Sequence, residues 1–320
     1  MLSTSTKGNY PSVWTRHFNA WDNPPSDTEE ERIQTIANKL KETLHEHPKL
    51  TCYQIDVIAQ GSYRNNTNVR LHSDMDLAVV WEEVLYYKAE GCYLPQLGDT
   101  EIPLHTLQQK FLSFKSTLVE VLISNFGQEA VKRGNKAINI KFTLGGHTMS
   151  ADVVPAIPSV VYRSDNFGSY HKDHGIAIYP DTQPNFTLLG RQAEPILNFP
   201  EQHYRNGVAK NEITSRRYKK VVRILKQLKD KMEREGIPPI PSFLLECLVY
   251  QCSDELFMIG ENYQWVVEVL WCIKMMTETP NNADPLMEVN GIKQLFGVGQ
   301  PWQLAQANRF AADALTHIRG

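Results

Sequence analysis

Hydrophobic and polar positions alternate with two different periods along the first half of the chain, which predicts both strands and helices there. Apolar residues at helical spacing predict helices over residues 27–47 and 101–125. Period-two alternation predicts a strand at residues 53–59, and three further strands are predicted at residues 75–81, 137–144 and 148–157. The last two strands are joined by Gly145-Gly146, which is a strong hairpin signal. The first half is therefore predicted to be α+β, with a mixed sheet and flanking helices.

The second half of the chain carries a helical pattern almost to its end. Residues 159–200 are rich in Pro, Gly, Asn and Asp, which predicts long surface loops. Beyond Ile213, apolar positions predict four helices, over residues 215–235, 241–252, 260–277 and 301–318. We therefore predict an α+β domain at residues 1–200, which includes an N-terminal helix, and a helical domain at residues 201–320.

Composition mainly excludes some classes of protein. With 320 residues, of which 42% are hydrophobic, the chain can bury a substantial core, so disorder is not expected. No run approaches the ~20 apolar residues of a membrane span, and residues 1–9 lack the apolar segment of a secretory signal, so we expect a cytoplasmic protein. Five scattered cysteines, mostly in apolar runs, predict buried free thiols rather than a zinc site.

The charge pattern favours a small anionic ligand over a nucleic-acid polymer. The net charge is only −3, which argues against a protein that coats nucleic acid through bulk electrostatics. Lys and Arg nevertheless concentrate in residues 205–234, so any anion binding should be local.

The first chemical motif is Gly61-Ser62 at the end of a predicted strand, followed by Asp74-Met75-Asp76 at the start of the next. Side chains at i and i+2 of a strand share a face, and two carboxylates about 6 to 7 Å apart can share divalent cations, as two-metal nucleotidyl transfer requires. Gly61 would let backbone amides close on a phosphate, and Ser62 would add a donor. Alone, an Asp-x-Asp pair is more often part of a turn, a polar surface or a glycosyltransferase-like metal motif.

A third carboxylate, Asp152, is predicted in the middle of an apolar strand. A buried Asp is costly unless it pairs with a cation or another charge, so Asp152 strengthens the metal interpretation. The three carboxylates would hold two Mg²⁺ ions, and Asp152 is the candidate to help remove the proton of the attacking hydroxyl. The structural alternative is three aspartates that cap turns or pair with Arg or Lys.

Two helices of the second half carry candidate phosphate and base contacts. Lys219, Arg223 and Lys226 share one predicted helix face opposite an apolar face, which suits a triphosphate clamp but also an ordinary solvated surface. Ser242 and Phe243 stand at the start of the next helix, where a phosphate is favoured and a base could stack. A capped core helix explains the same pattern.

These motifs resemble those of the bacterial cyclic GMP-AMP synthase-like nucleotidyltransferases, the CD-NTases. The resemblance covers roughly residues 30–260. Among the branches of the family, the chain looks most similar to the one that often uses pyrimidine nucleotides. It rests on residues 60–70, 73–76, 150–154, 198–200, 203–207, 217–226 and 241–247.

The resemblance implies a polymerase-β-like nucleotidyltransferase core at residues 1–200, with the helical residues 201–320 completing the nucleotide cleft. It implies Mg²⁺ as the cofactor, with Mn²⁺ able to substitute, and ATP, GTP or UTP as substrates. The product would be a cyclic di- or trinucleotide second messenger that activates an effector in anti-phage (CBASS) signalling.

The resemblance also assigns individual contacts. Ser62, Lys226 and Ser242 would contact the triphosphate, and Phe243 would stack on a base where many relatives have Tyr. Asn198 matches a position tied to base choice, where an amide can pair with a uracil edge, although a turn before an aromatic-Pro pair explains this Asn equally well.

Several alternatives remain open at the level of sequence. A linear oligonucleotide synthase or an RNA-tailing enzyme would use the same carboxylates, although tailing favours a broader basic track. A catalytically silent nucleotide-binding scaffold is the alternative outside enzymes. We expect a monomer with no stable nucleic-acid partner. Conjugation through Gly320 is a hypothesis drawn from some relatives, and chance explains a terminal Gly as well.

Overall fold

The computed structural model describes residues 12–24, 27–69, 75–90, 104–144, 147–164, 169–182 and 195–319. The chain forms two compact units. A sheet unit contains residues 26–64 and 70–201, and a helical unit contains residues 1–25, 65–69 and 202–320. The segment 65–69, which directly follows the Gly-Ser motif, thus belongs with the helices.

The sheet unit is built around one mixed sheet, which confirms the predicted α+β class. Its described strands are β1 Ile55–Gln60, β2 Met75–Trp81, β3 Tyr86–Glu90, β4 Val131–Arg133, β5 Ile138–Leu144, β6 His147–Ser164, β7 Tyr170–Ile178 and β8 Ile196–Asn198. The main order is β1-β2-β6-β5-β4, in which only β2 and β6 run parallel. The second part of the long strand β6 pairs with β3 and β7, and β8 pairs with β7.

The two faces of this sheet are covered differently, because side chains alternate along each strand. Helices α2 (Asp27–Glu46) and α4 (Leu104–Phe126) supply residues such as Leu40 and Phe111 to the core that buries Leu77 and Val153. The opposite face carries a much smaller apolar cluster of residues from β2, β6 and β7, namely Ala78, Val80, Val154, Ala156, Ile176 and Ile178.

The helical unit packs around a single large apolar core. Its described helices are α1 Ser12–Trp21, α5 Pro200–Ile213, α6 Arg217–Arg234, α7 Ser242–Gln251, α8 Asn262–Met276, α9 Pro280–Ala283 and α10 Leu304–His317. One short helix, α3 (Gly61–Arg64), belongs instead to the sheet unit. Leu225 of α6, Leu245 of α7, Val266 of α8 and Phe310 of α10 are all buried in the helical core.

The structure corrects the expected loops at residues 159–200. Strand β6 continues to Ser164, and β7 and β8 follow it. The first half of β7 is polar, with the sequence Tyr-His-Lys-Asp-His, so it shows no apolar alternation. It forms because residues 170–177 pair with β6. Residues 165–168 and 183–194 of this region, like the predicted Gly145-Gly146 turn, lie outside the described residues.

Two helices differ from the prediction. Helix α1 lies before the first predicted helix at residues 27–47, and it forms because Trp14 and Phe18 are buried in the helical core. Helix α5 begins at Pro200, well before the expected onset at Ile213, and its weak amphipathicity reflects the polar residues His203 and Lys210 that it buries. Within the described residues, no helix is long and apolar enough to span a membrane.

Candidate functional site

Two carboxylates stand side by side on the central strands of the sheet. Asp76 of β2 and Asp152 of β6 are register partners in the parallel pair, so their side chains project from the same face of strands that lie about 4.8 Å apart. That face is the one with the small apolar cluster, and both carboxylates are half-buried. Their flanking residues Leu77 and Val153 point to the opposite, helix-covered core.

The two carboxylates belong to a polar row that crosses the sheet. Gln60 of β1 is the register partner of Asp76, and Asn139 of β5 is the partner of Asp152. The Asn139 side-chain amide donates a hydrogen bond of 3.0 Å to Asp152 Oδ1. This bond fixes the orientation of the Asp152 carboxylate, and sequence reasoning missed it because the pairing of β5 with β6 determines it.

Gly61 approaches the Asp76 carboxylate so closely that no other residue could replace it without movement. Its φ is +71°, a left-handed conformation that L side chains rarely adopt. A Cβ atom built at Gly61 would lie only 2.0 Å from Asp76 Oδ2. The glycine of the Gly-Ser motif therefore brings the end of β1 against the carboxylate, and Ser62 lies beside it, half-buried in the first turn of α3.

The remaining predicted carboxylate, Asp74, lies outside the described residues, so its placement beside Asp76 stays a prediction. Among the residues that the structure describes, no group of three His, Cys, Asp or Glu side chains is arranged to hold a metal ion. The described residues thus supply two carboxylates, Asp76 and Asp152, to the candidate metal site.

Asn198 lies on the same face of the sheet but at a distance from the carboxylates. It is the register partner of Ile176, which pairs with Pro158 of β6. Pro158 is six positions beyond Asp152, or about 20 Å along the strand. The next residue, Phe199, packs against Gly175, where a Cβ would come within 2.7 Å of the ring.

The expected basic face of α6 is not exposed to solvent at two of its three positions. Arg223 and Lys226 are buried, with relative exposures of 5% and 3%. The Arg223 guanidinium donates to the carbonyls of Asp22 and Asn66, and burial lowers its pKa to about 10 despite the nearby Asp22 carboxylate. The apolar side of the helix was predicted correctly, since Tyr218, Val222 and Leu225 are buried.

Lys226 is part of a buried network within the helical unit. Its ammonium contacts Glu246 Oε2 at 2.8 Å, and it donates to Thr67 Oγ1 and to the Thr67 carbonyl at 3.0 and 3.1 Å. His203 Nε2 lies 3.0 Å from the other Glu246 oxygen. Burial opposes ionisation of Glu246, but the charges and hydrogen bonds of Lys226 and His203 outweigh it and hold the pKa of Glu246 well below its usual value. The Lys226 ammonium thus has three acceptor atoms, which belong to two residues, Thr67 and Glu246.

The residue that reaches the predicted phosphate position at the start of α7 is Lys229, which sequence reasoning missed. Its ammonium donates to Ser242 Oγ at 3.1 Å and contacts Asp230 at 3.0 Å. Phe243, next to Ser242, is 40% exposed and packs its ring against His203 and Trp302, with centroid separations of 5.6 and 5.8 Å. Lys229 follows Lys226 by almost one helical turn, and this spacing is the sequence feature that could have predicted its position on the same side of α6.

Strand β1 is followed directly by Gly-Ser, and the next two strands of the sheet, β2 and β6, run parallel with carboxylates at the same level. This arrangement is that of a nucleotidyltransferase core. The carboxylates offer oxygen ligands for divalent cations beside a glycine turn that a phosphate can approach.

Comparison with known proteins agrees with this class and narrows it. Residues 205–319 match the cGAS/DncV-like nucleotidyltransferase C-terminal helical domain. A cyclic dipyrimidine nucleotide synthase CdnE of Legionella pneumophila is 34% identical over 309 residues, which are 96% of this chain and 98% of that protein. A cyclic dipurine nucleotide synthase of Elizabethkingia meningoseptica is 30% identical over 88% of this chain and 90% of its own length.

Solved structures give the same result. The structure of Elizabethkingia meningoseptica CdnE cyclic dinucleotide synthase with GTP and Apcpp superposes with a TM-score of 0.70 at 28% identity, and covers 95% of this chain and 98% of that one. The chain therefore belongs to the cGAS/DncV-like nucleotidyltransferases, the CD-NTase family. It is a nucleotidyltransferase, with the polymerase-β-like fold that the family resemblance implies.

Proposed function

We propose that this chain joins nucleoside triphosphates into a cyclic dinucleotide, in a reaction that depends on Mg²⁺. The observation that carries the proposal is the placement of Asp76 and Asp152 as register partners on parallel strands. The cyclic product is supported by the relatives, which are named cyclic nucleotide synthases. A cyclic trinucleotide, or a linear product, would use the same carboxylates.

The donor set suits a hard cation. Carboxylate oxygens are the ligands that Mg²⁺ prefers, and Asp76 and Asp152 present them from one face of the sheet. We propose that Asp74 completes the set as the third ligand. When bound, Mg²⁺, or Mn²⁺ in its place, would lower the pKa of the attacking ribose hydroxyl and neutralise charge on the triphosphate.

The side chains of the sheet unit then orient the reacting groups. A ribose hydroxyl oxygen attacks the α-phosphorus of a nucleoside triphosphate, and the bond from that phosphorus to the leaving pyrophosphate breaks. Asp152 is proposed to accept the hydroxyl proton, and the hydrogen bond from Asn139 to its Oδ1 atom supports this role by fixing the carboxylate. Gly61 and Ser62 lie at the turn beside Asp76, where backbone amides and the hydroxyl would hold phosphate oxygens.

The helical unit would add further nucleotide contacts. We propose that Lys229 and Ser242 hold phosphate oxygens, because their side chains already meet at the start of α7. Lys226 can do so only by exchanging one of its partners, Thr67 or Glu246. The exposed Phe243 would stack on a base, as predicted, and lacks the hydroxyl of a Tyr.

Base choice is the finer part of the proposal. The Legionella relative is a cyclic dipyrimidine nucleotide synthase, which supports UTP as a substrate, whereas the Elizabethkingia protein is named for a dipurine product and supports ATP and GTP. We favour pyrimidine use, because the dipyrimidine synthase has the higher identity of the two. Asn198 is proposed to read the uracil edge.

The biological setting follows from the family. We propose that the product acts as a diffusible second messenger in anti-phage (CBASS) signalling, made in the cytoplasm by a monomer. Conjugation through Gly320 also stays a proposal, because Gly320 lies outside the described residues. Extension of the C-terminus by one bulky residue would abolish conjugation beside its native operon and leave nucleotide synthesis unchanged.

The proposal is tested by incubation of the purified protein with four labelled nucleoside triphosphates and Mg²⁺, followed by phosphatase treatment and chromatography. A phosphatase-resistant product that disappears in Asp76→Ala supports cyclisation, and omission of one nucleotide at a time identifies the bases. Asp313→Ala is the matched control, since Asp313 is partly exposed on α10 and pairs with Arg309. Phosphatase-sensitive products would assign a linear synthase or a tailing enzyme instead.

A further inference from the structure

Two cysteines of the helical unit lie in direct contact. Cys252 follows the last residue of α7, and Cys272 lies in α8, where their thiols form a hydrogen bond. The Cys252 sulfur also lies 3.5 Å from the Leu248 carbonyl of α7 and 3.9 Å from the Val269 carbonyl of α8. Val269 is one helical turn before Cys272. The Cys252 sulfur is therefore held against α8 at the level of the second thiol.

The surroundings of this pair favour a thiolate on Cys272. The Cys272 thiol accepts a hydrogen bond from Cys252 and another from the backbone N–H of Ser253, and these bonds lower its pKa in spite of partial burial. The Lys210 ammonium, which donates to the Cys252 carbonyl at 2.8 Å, adds a positive charge nearby. Burial raises the pKa of Cys252 well above its usual value.

The two thiols also differ in access. Cys252 is buried, whereas Cys272 is half-buried and lies at the edge of the helical core. A reactive thiol that solvent can reach, next to a buried second thiol, is the arrangement of a peroxide-sensitive pair. Cys247, by contrast, is fully buried and its pKa is raised by burial, so it has neither property.

We propose that Cys272 and Cys252 form a peroxide-reactive dithiol that closes reversibly to a disulfide between the end of α7 and α8. The two cysteines are separate from the residues proposed for nucleotide chemistry. The dithiol proposal therefore does not depend on the proposed function. It would place a covalent link at the opposite end of α7 from Ser242 and Phe243.

The chemistry balances with hydrogen peroxide as the oxidant. The Cys272 thiolate attacks one peroxide oxygen, the O–O bond breaks, and the leaving hydroxide takes a proton to become water, which leaves a sulfenic acid on Cys272. The Cys252 sulfur then attacks the Cys272 sulfur, the S–O bond breaks, and hydroxide leaves with the Cys252 proton as a second water. Two sulfur atoms lose two electrons in total, and one peroxide gains them.

The test is peptide mapping of the folded, full-length protein after brief treatment with hydrogen peroxide. A Cys52→Ser/Cys92→Ser background removes the exposed Cys52 and also Cys92, which lies outside the described residues. We expect a cross-linked peptide pair containing Cys252 and Cys272, lighter by about 2 Da than the reduced pair and restored by dithiothreitol. Sulfonic acid on Cys272 without a cross-link, or two intact thiols under conditions that oxidise Cys52 in the wild-type protein, would refute the proposal.

Single variants assign the order of events. Cys252→Ser should trap a sulfenic acid on Cys272 that a dimedone reagent labels, whereas Cys272→Ser should leave Cys252 unlabelled. Cys247→Ser is the control, since it removes the buried thiol within α7 and should leave the cross-link intact. Because the mapping experiment uses native Cys252 and Cys272, it remains decisive even if a variant fails to fold.

Discussion

At the scale of single residues, Gly61 carries the sharpest prediction. Gly61→Ala combines a strained positive φ with a Cβ 2.0 Å from the Asp76 carboxylate, so Asp76 must move. We expect a loss of about 1 to 3 kcal/mol in unfolding free energy, together with at least a tenfold loss of product formation, which corresponds to about 1.4 kcal/mol.

Gly127→Ala separates the two effects of that substitution. Gly127 also has a positive φ, of +89°, but nothing lies within 4 Å of its Cβ position. It should lose comparable stability in urea unfolding and keep nearly full synthesis. Equal losses of synthesis in both variants would mean that general strain, rather than displacement of Asp76, explains the effect.

Asn139 is a positioning residue in our interpretation, since it acts through Asp152. Removal of its amide in Asn139→Ala leaves Asp152 Oδ1 without that donor. We expect kcat to fall about tenfold with little change in KM for nucleotides, which is the signature of an interaction that matters in the transition state. Steady-state kinetics on purified protein measure both terms. A rise in KM at constant kcat would assign Asn139 to substrate binding instead.

At the scale of elements, helix α6 carries two lysines, Lys226 and Lys229, that the sequence pattern does not distinguish but that lie in different surroundings. Lys226 faces the buried Glu246, whereas Lys229 meets Ser242. Lys229→Ala should raise KM for nucleoside triphosphates about tenfold, because a charged hydrogen bond to phosphate is lost. Lys231→Ala, on the same helix and paired with Glu235, is the control and should leave KM unchanged. An unchanged KM in Lys229→Ala would exclude this phosphate contact.

The buried network ties α5, α6 and α7 to the segment 65–69. Glu246→Ala leaves Lys226 and His203 buried without their carboxylate, so we expect a loss of about 3 to 5 kcal/mol in urea unfolding at pH 7. Lys226→Met/Glu246→Leu removes both charges of the ion pair and should lose less. A double variant that is less stable than Glu246→Ala would contradict this view of the network.

The same network makes stability depend on pH. The folded pKa of Glu246 lies below its ordinary value of 4.5, so its contribution is present above about pH 4.5 and is lost as the pH falls towards the folded pKa. Glu246→Gln should therefore flatten the acid side of the stability profile, measured by urea unfolding between pH 7 and pH 3. A wild-type profile that the substitution leaves unchanged would show that other carboxylates govern acid unfolding.

These elements also show where sequence reasoning succeeds and fails. Strand β2 was predicted with its observed bounds, because the run from Met75 to Trp81 is apolar except for Asp76. Strand β7 was missed because its first residues are polar and only its partner β6 makes it a strand. Periodicity placed the apolar side of α6 correctly, but it cannot distinguish a buried ionic network from a solvated basic face.

At the scale of the whole molecule, the motifs indicate the family and the class of chemistry, but they do not indicate the contacts around them. Few other classes of protein combine a Gly-Ser turn after a strand with a carboxylate such as Asp152 in a later strand. The amino-acid sequence is therefore enough to indicate a nucleotidyltransferase. The alignment of Asp152 with Asp76 depends on β2 pairing with β6, which are far apart in sequence. Likewise, strand register brings Asn139 to Asp152, and helix packing brings Lys229 to Ser242.

The division of the chain illustrates the same limit. Residues 65–69 and α1 pack with the helical unit although they precede most of the sheet in sequence. Long-range packing of Thr67 with Lys226 and Glu246 produces this arrangement, and no local pattern signals it.

The central claim is that the protein uses the aligned carboxylates Asp76 and Asp152 to synthesise a cyclic dinucleotide. The intact mass of the reaction product tests this claim most directly. A ring has the mass of two nucleoside monophosphates less two waters, and it has no terminal phosphate. We predict that mass for the wild-type protein with Mg²⁺, and no product for Asp76→Asn or Asp152→Asn in variants that remain folded. A product one water heavier, a product that retains a terminal triphosphate, or full synthesis by either variant would contradict the claim.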